Sequence, residues 1–154
     1  MPVTATLAQL WEREELPIRD ALYLADGRAF AVTLDQRAPG GLTVGDPFDL
    51  DALLAEDPEW VTSIVVSKQI ELDDGGYVCC GEGSWGSEGI FARLSPDGEP
   101  VWVVHLERSN PFTDIDVDSP DQIARFRSTS GVNVSVSLVD AGFVPTRWPT
   151  ANSA

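Results

Sequence analysis

The chain has 154 residues, 43% hydrophobic and 23% charged, with 25 Asp and Glu against 10 Lys and Arg for a formal net charge of −15. That size and balance favour one domain over 1–154 and exclude wholesale disorder. A surface of this sign repels nucleic acid and anionic membrane and attracts a partner of opposite charge.

Thr6 to Leu16 spaces Leu7, Leu10 and Trp11 for a helix, with Thr6 as N-cap and Pro17 as the stop. Ile18 to Asp35 alternates around Asp26-Gly27 as a hairpin, with Leu22, Leu24, Phe30, Val32 and Leu34 on one face. Gln36 to Gly45 reads as a loop. Asp46 to Glu56 reads as a second helix, with Asp46 before Pro47 and acids in the first turn. Strand patterns then dominate: Trp60 to Leu72, Tyr77 to Gly81, Gly89 to Ser95, Val101 to Glu107, Ile123 to Thr129 and Val132 to Val139. The turns are Asp73-Asp74-Gly75-Gly76, Pro96-Asp97-Gly98-Glu99 and Ser130-Gly131. The tail from Pro145, with Trp148 and Pro149, is expected to fray. The fold expected is α+β: a mainly antiparallel sheet of about six to eight strands built from hairpins, with two or so short helices.

No stretch approaches the roughly 20 apolar residues of a membrane span. The start, Met1-Pro2-Val3-Thr4, lacks the basic and apolar regions of a signal peptide. A cytoplasmic protein is the expectation. The adjacent Cys79 and Cys80 are read as buried, reduced thiols on opposite faces of a strand, since a bond between neighbours needs a strained turn.

Between Ala38 and Ala92 stand eleven acids and one base, Lys68, whereas the flanks carry six acids to four bases and eight to five. In that stretch lies Gly81-Glu82-Gly83-Ser84-Trp85-Gly86-Ser87-Glu88-Gly89, whose four interspersed glycines suggest positive φ angles and close backbone approach. Glu82 and Glu88 and the lack of a following Lys-Ser/Thr argue against a phosphate cradle. The readings left are a wide hairpin connection with Trp85 folded on the sheet, or a binding loop with Trp85 as anchor. His105, the lone histidine, alternates with Val101 and Val103, the pattern of a half-buried, hydrogen-bonded side chain. No GxSxG accompanies it. Asp114 to Asp121 superficially resembles a calcium loop but lacks its central Gly and terminal Glu. Arg125 and Arg127 share a strand face, either solvated or paired with those acids. Asn110-Pro111 ends the preceding strand and lets Phe112 plug the core edge.

The segment GSWGSEGIFARLSPDGEPVWVVHLERSNPF, Gly83 to Phe112, resembles segments of the immunity proteins of bacterial polymorphic-toxin loci. The resemblance implies a non-enzymatic inhibitor that covers a toxin's active site, and it carries over no site residues. The charge reading is compatible: an acidic surface suits a basic toxin, a nuclease among the candidates. The expected partner surface comprises Asp46, Asp49, Asp51, Glu56, Asp57, Glu59, Trp60, Asp73, Asp74, Tyr77, Glu82, Trp85 and Glu88. No catalytic residue, cofactor or metal site is expected, and neither nucleic acid nor membrane is an expected partner. The competing expectations are a small hydrolase using carboxylates with His105, and an accessory subunit of a phage or secretion assembly.

Overall fold

A computed structural model describes residues 6–118, 120–140 and 142–147, so the expectation for the tail at Trp148 and Pro149 lies outside the described residues. Two short helices, α1 (Thr6–Glu12) and α2 (Leu50–Glu56), accompany twelve strands. The first eight are β1 (Glu15–Pro17), β2 (Ala21–Leu24), β3 (Ala29–Leu34), β4 (Leu42–Phe48), β5 (Val61–Glu71), β6 (Tyr77–Gly83), β7 (Gly89–Leu94) and β8 (Pro100–Leu106). They form one antiparallel sheet in the order β1-β5-β6-β7-β8-β2-β3-β4. The last four, β9 (Phe112–Asp118), β10 (Ile123–Ser128), β11 (Asn133–Ser137) and β12 (Val144–Pro145), form a second sheet in the order β12-β11-β10-β9.

Three layers result, because the central strands are apolar on both faces. All six residues of β7 are buried, the pattern of a strand covered on both sides. One core lies between the sheets, where Phe91 and Trp102 meet Phe112 and Phe126. The other lies under the helices, where Leu7, Leu10 and Leu50 cover Ile64, Ile90 and Val103. Cys79 and Cys80 divide between these cores, Cys79 toward the helices and Cys80 toward the second sheet, as the strand period requires. Both are free, and burial pushes their thiols up to about 12 and about 11.

The α+β class holds, and the strand count is higher than expected. Four of the additional strands have identifiable causes. The first helix stops at Glu12 rather than Leu16: Glu14 turns left-handed (φ 58) and delivers the fully buried Leu16 into β1. Pro17 disfavours helical geometry at Leu16. The stretch from Leu42 to Phe48 is strand, not loop and helix start; an edge position tolerates the missing N–H of Pro47. The helix therefore begins at Leu50, capped by Asp49, whose Oδ1 accepts from the Ala52 N–H at 3.1 Å. The acids of Asp114 to Asp118 belong to β9, where Ile115 and Val117 alternate inward. β12 is too short, at two residues, to leave a periodic signal.

Candidate functional site

The β1–β5 pairing brings Ile18 against Trp60. The Ile18 N–H donates to the Trp60 carbonyl at 3.2 Å, and Trp60 Nε1 returns a bond to the Ile18 carbonyl at 3.0 Å. Next to them, Ser84 to Glu88 connects β6 to β7 and carries Trp85. Trp60 and Trp85 are 55% and 62% exposed, yet both border one open cleft of about 260 Å³. Ile18, Ser87, Glu107 and Arg108 complete its wall, with Glu88 beneath.

Under the cleft lies a buried polar network. His105 Nε2 meets Glu88 Oε2 at 2.5 Å, and His105 Nδ1 meets the Arg19 carbonyl at 2.8 Å. A carbonyl only accepts, so Nδ1 carries a proton and a second proton lies between Nε2 and Oε2. The other carboxylate oxygen, Oε1, accepts from Thr62 Oγ1 at 2.9 Å and from the Trp85 N–H at 3.0 Å. With its one proton given to Glu88, Thr62 accepts from the Ser84 hydroxyl at 2.8 Å and the Ser84 N–H at 2.9 Å. Burial pushes the Glu88 carboxyl up, but the hydrogen bonds from His105, the Trp85 N–H and Thr62 outweigh it and hold the group below its ordinary value.

The pair is buried, and its hydrogen bonds fasten the Trp85 loop to β5 and β8. Glu88, expected on the partner surface, is instead 1% exposed and cannot touch a partner directly. His105 is hydrogen-bonded as expected but fully buried, not half-buried. The glycines serve the same packing. Gly81 and Gly83 lie within β6 at ordinary φ, contrary to the expectation of positive angles. A Cβ at Gly83 would run into the Glu88 carboxylate, and one at Gly81 into the Val65 carbonyl.

The remaining expected site residues separate into groups. Asp57 and Glu59 adjoin Trp60, following Asp49, Asp51 and Glu56 of the α2 segment. Asp51 accepts from the Thr6 hydroxyl. Glu82 is half-buried in β6, opposite Val65. Asp73, Asp74 and Tyr77 sit at the other end of the β5–β6 hairpin, 11 strand residues or about 35 Å from Trp60. Tyr77 is half-buried against the core, and Asp74 lies 3.6 Å from Arg93. Asp46 occupies β4, the edge opposite β5. Thr62, Ile18, Ser87, Glu107 and Arg108 were not among the expected site residues. The Trp60–Ile18 contact spans 42 residues, and local sequence carries no trace of it.

Among the described residues no group of three or more His, Cys, Asp or Glu is arranged to hold a metal ion. Asp114 and Asp116 stand across from Arg127 and Arg125 in the β9–β10 register, and Arg127 Nε donates to Asn133 Oδ1 at 3.1 Å. Among the described residues no helix is long and apolar enough to cross a membrane. Comparisons with protein-family models, curated proteins and solved structures give no match to this chain.

Proposed function

We propose that this chain is a protein-binding module that docks a basic protein through the Trp60–Trp85 cleft, and that it acts as an immunity-type inhibitor of a toxin. The observation that carries the reading is the pair of tryptophans, distant in sequence, both outward, one held by its indole and the other by its backbone. Large aromatics left in water and walling a concave site are the commonest anchors of protein interfaces. The bond from Trp60 Nε1 to the Ile18 carbonyl holds that indole, and the bond from the Trp85 backbone N–H to Glu88 holds the loop that carries the second, before a partner arrives. That lowers the ordering cost of association. Asp57, Glu59 and Glu107 supply a negative rim, which speeds capture of a cationic surface. The resemblance over Gly83 to Phe112 supports the immunity setting, and the cleft narrows the contact region to one end of the sheet.

The test is affinity capture from an extract of the native host, with the wild-type chain and the W60A/W85A double variant, at low and high salt. The expected result is a basic protein retained by the wild type at low salt, released at high salt, and not retained by the double variant. Circular dichroism confirms that the variant is folded. Retention of the same protein by the double variant would move the interface elsewhere, and an acidic captured partner would sink the charge reading. Coexpression then checks inhibition: the wild type restores growth to cells making the captured toxin, and the double variant does not.

A further inference from the structure

The outer edge of β5 is covered for only part of its length. β1 pairs with Val61 to Ser63, and the Glu14 carbonyl takes the Ile64 N–H at 2.8 Å. There the left-handed turn at Glu14 carries the chain away into α1. Among the described strands none pairs with the outer edge of β5 beyond that point, and β9 packs against β5 from Ser67 onward, where the Ser67 hydroxyl donates to the Phe112 carbonyl at 3.2 Å. Ile64 turns its N–H outward, so by strand alternation Val66 turns its peptide groups to the same open side. Val65 and Val66 are 60% and 40% exposed. A bulge between Val66 and Lys68, and the exposed Lys68 itself, close the edge further along. Both are ordinary devices against indiscriminate pairing. Val65 and Val66 are left unguarded.

Beside that stretch runs a groove of about 380 Å³, bounded by Ile64, Val65 and Val66 and by Trp11, Glu12 and Glu14. Two glutamates and an indole suit the ammonium or guanidinium of a Lys or Arg side chain.

We propose that the β5 edge at Ile64–Val66, with the Trp11–Glu12–Glu14 groove, takes an extended Lys- or Arg-bearing segment of a protein partner by strand addition. Main-chain hydrogen bonds to the open edge supply sequence-independent affinity, and the groove selects a cationic side chain. The occupant's charge rests on the reading of a basic partner; the site itself is separate from the cleft, on the other side of β1.

The probe is a synthetic peptide, acetyl-Val-Lys-Val-Lys-Val-Lys-Val-amide, titrated into the isotope-labelled full chain and followed by amide chemical shifts. Saturable shifts are expected at Ile64 to Ser67 and at Trp11. Methylating alternate peptide nitrogens removes the strand's donors and should weaken binding at least about tenfold. The E12K/E14K variant, altered only at exposed positions, should weaken it by a similar factor, and W60A/W85A should leave it unchanged. Equal binding by the methylated peptide, shifts centred on the Trp60–Trp85 cleft, or no saturable shift at millimolar peptide would overturn the proposal. A silent titration leaves the cleft reading intact, and a failed capture through the cleft leaves this titration to stand on its own.

Discussion

The four-stranded sheet and the cleft end of the eight-stranded sheet both carry acids, but they deploy them differently. In the small sheet Asp114 and Asp116 face Arg127 and Arg125 across the strands, and Arg127 Nε donates to Asn133 at 3.1 Å. Two of its acids thus stand opposite its two arginines. At the cleft the exposed acids Asp57 and Glu59 flank an outward tryptophan, and the carboxylate with a close ionic partner, Glu88, is out of sight beneath it. Negative charge alone therefore does not mark the proposed docking surface. What distinguishes the cleft is exposed aromatic area on a loop and a strand end anchored by hydrogen bonds, the loop by a buried polar network.

The sharpest way to break that contrast is to remove Glu88. Glu88→Ala would strand His105, Thr62 and the Trp85 N–H in a buried site, and a loss of about 3–5 kcal/mol is expected from urea unfolding. Asp114→Asn, at an exposed cross-strand position, should cost less than about 1 kcal/mol in the same measurement. Equal losses would erase the distinction between the two regions.

Acid should narrow the gap between wild type and Glu88→Gln. The folded-state pKa of Glu88 is depressed, so its contribution is fully present above the unfolded value of about 4.3 and is lost as pH falls through the folded value. Unfolding free energies collected from neutral pH down to pH 2 should show the two proteins converging. A gap that stays constant across that range would mean that Glu88 titrates alike in both states.

Association rates test the cleft's electrostatics at a smaller scale. Reversing Glu59 and Glu107 together should slow capture of a basic partner about tenfold at low salt. Reversing Asp114 and Asp116 should change it by less than about twofold, because those acids sit across from arginines at a different surface. Stopped-flow measurements at two salt concentrations separate these outcomes.

The smallest effect concerns a position away from both regions. The Tyr23 hydroxyl is buried with no hydrogen-bond partner among the described residues, and burial drives its pKa upward. Tyr23→Phe removes that unmet donor and should be neutral or stabilising by up to about 1 kcal/mol in thermal or urea unfolding. A marked destabilisation would show that the hydroxyl has a partner after all.

Much of the fold was legible locally, because hairpins are written in short range. Asp26-Gly27, Pro96-Asp97-Gly98 and the alternation of Val132, Val134, Val136 and Leu138 each name a turn or a buried face without reference to the rest of the chain. β9 is hard to recognise locally because the run Asp114 to Asp121 imitates a calcium loop, while Ile115 and Val117 keep the period of two. β4 was misread because Asp46-Pro47 imitates a helix start, and only an edge position lets a proline serve in a strand.

The sequence by itself determined the composition of the surface, the paired faces of the hairpins and the opposite burial of Cys79 and Cys80, since these depend on residue type and the strand period. Tertiary structure decided which acids stay in water and which one leaves it. Glu88 and Glu59 are the same residue type within one acidic stretch. A carboxylate's burial depends on the donors it meets, and Thr62, Trp85 and His105 reach Glu88 only when β5, the loop and β8 come together.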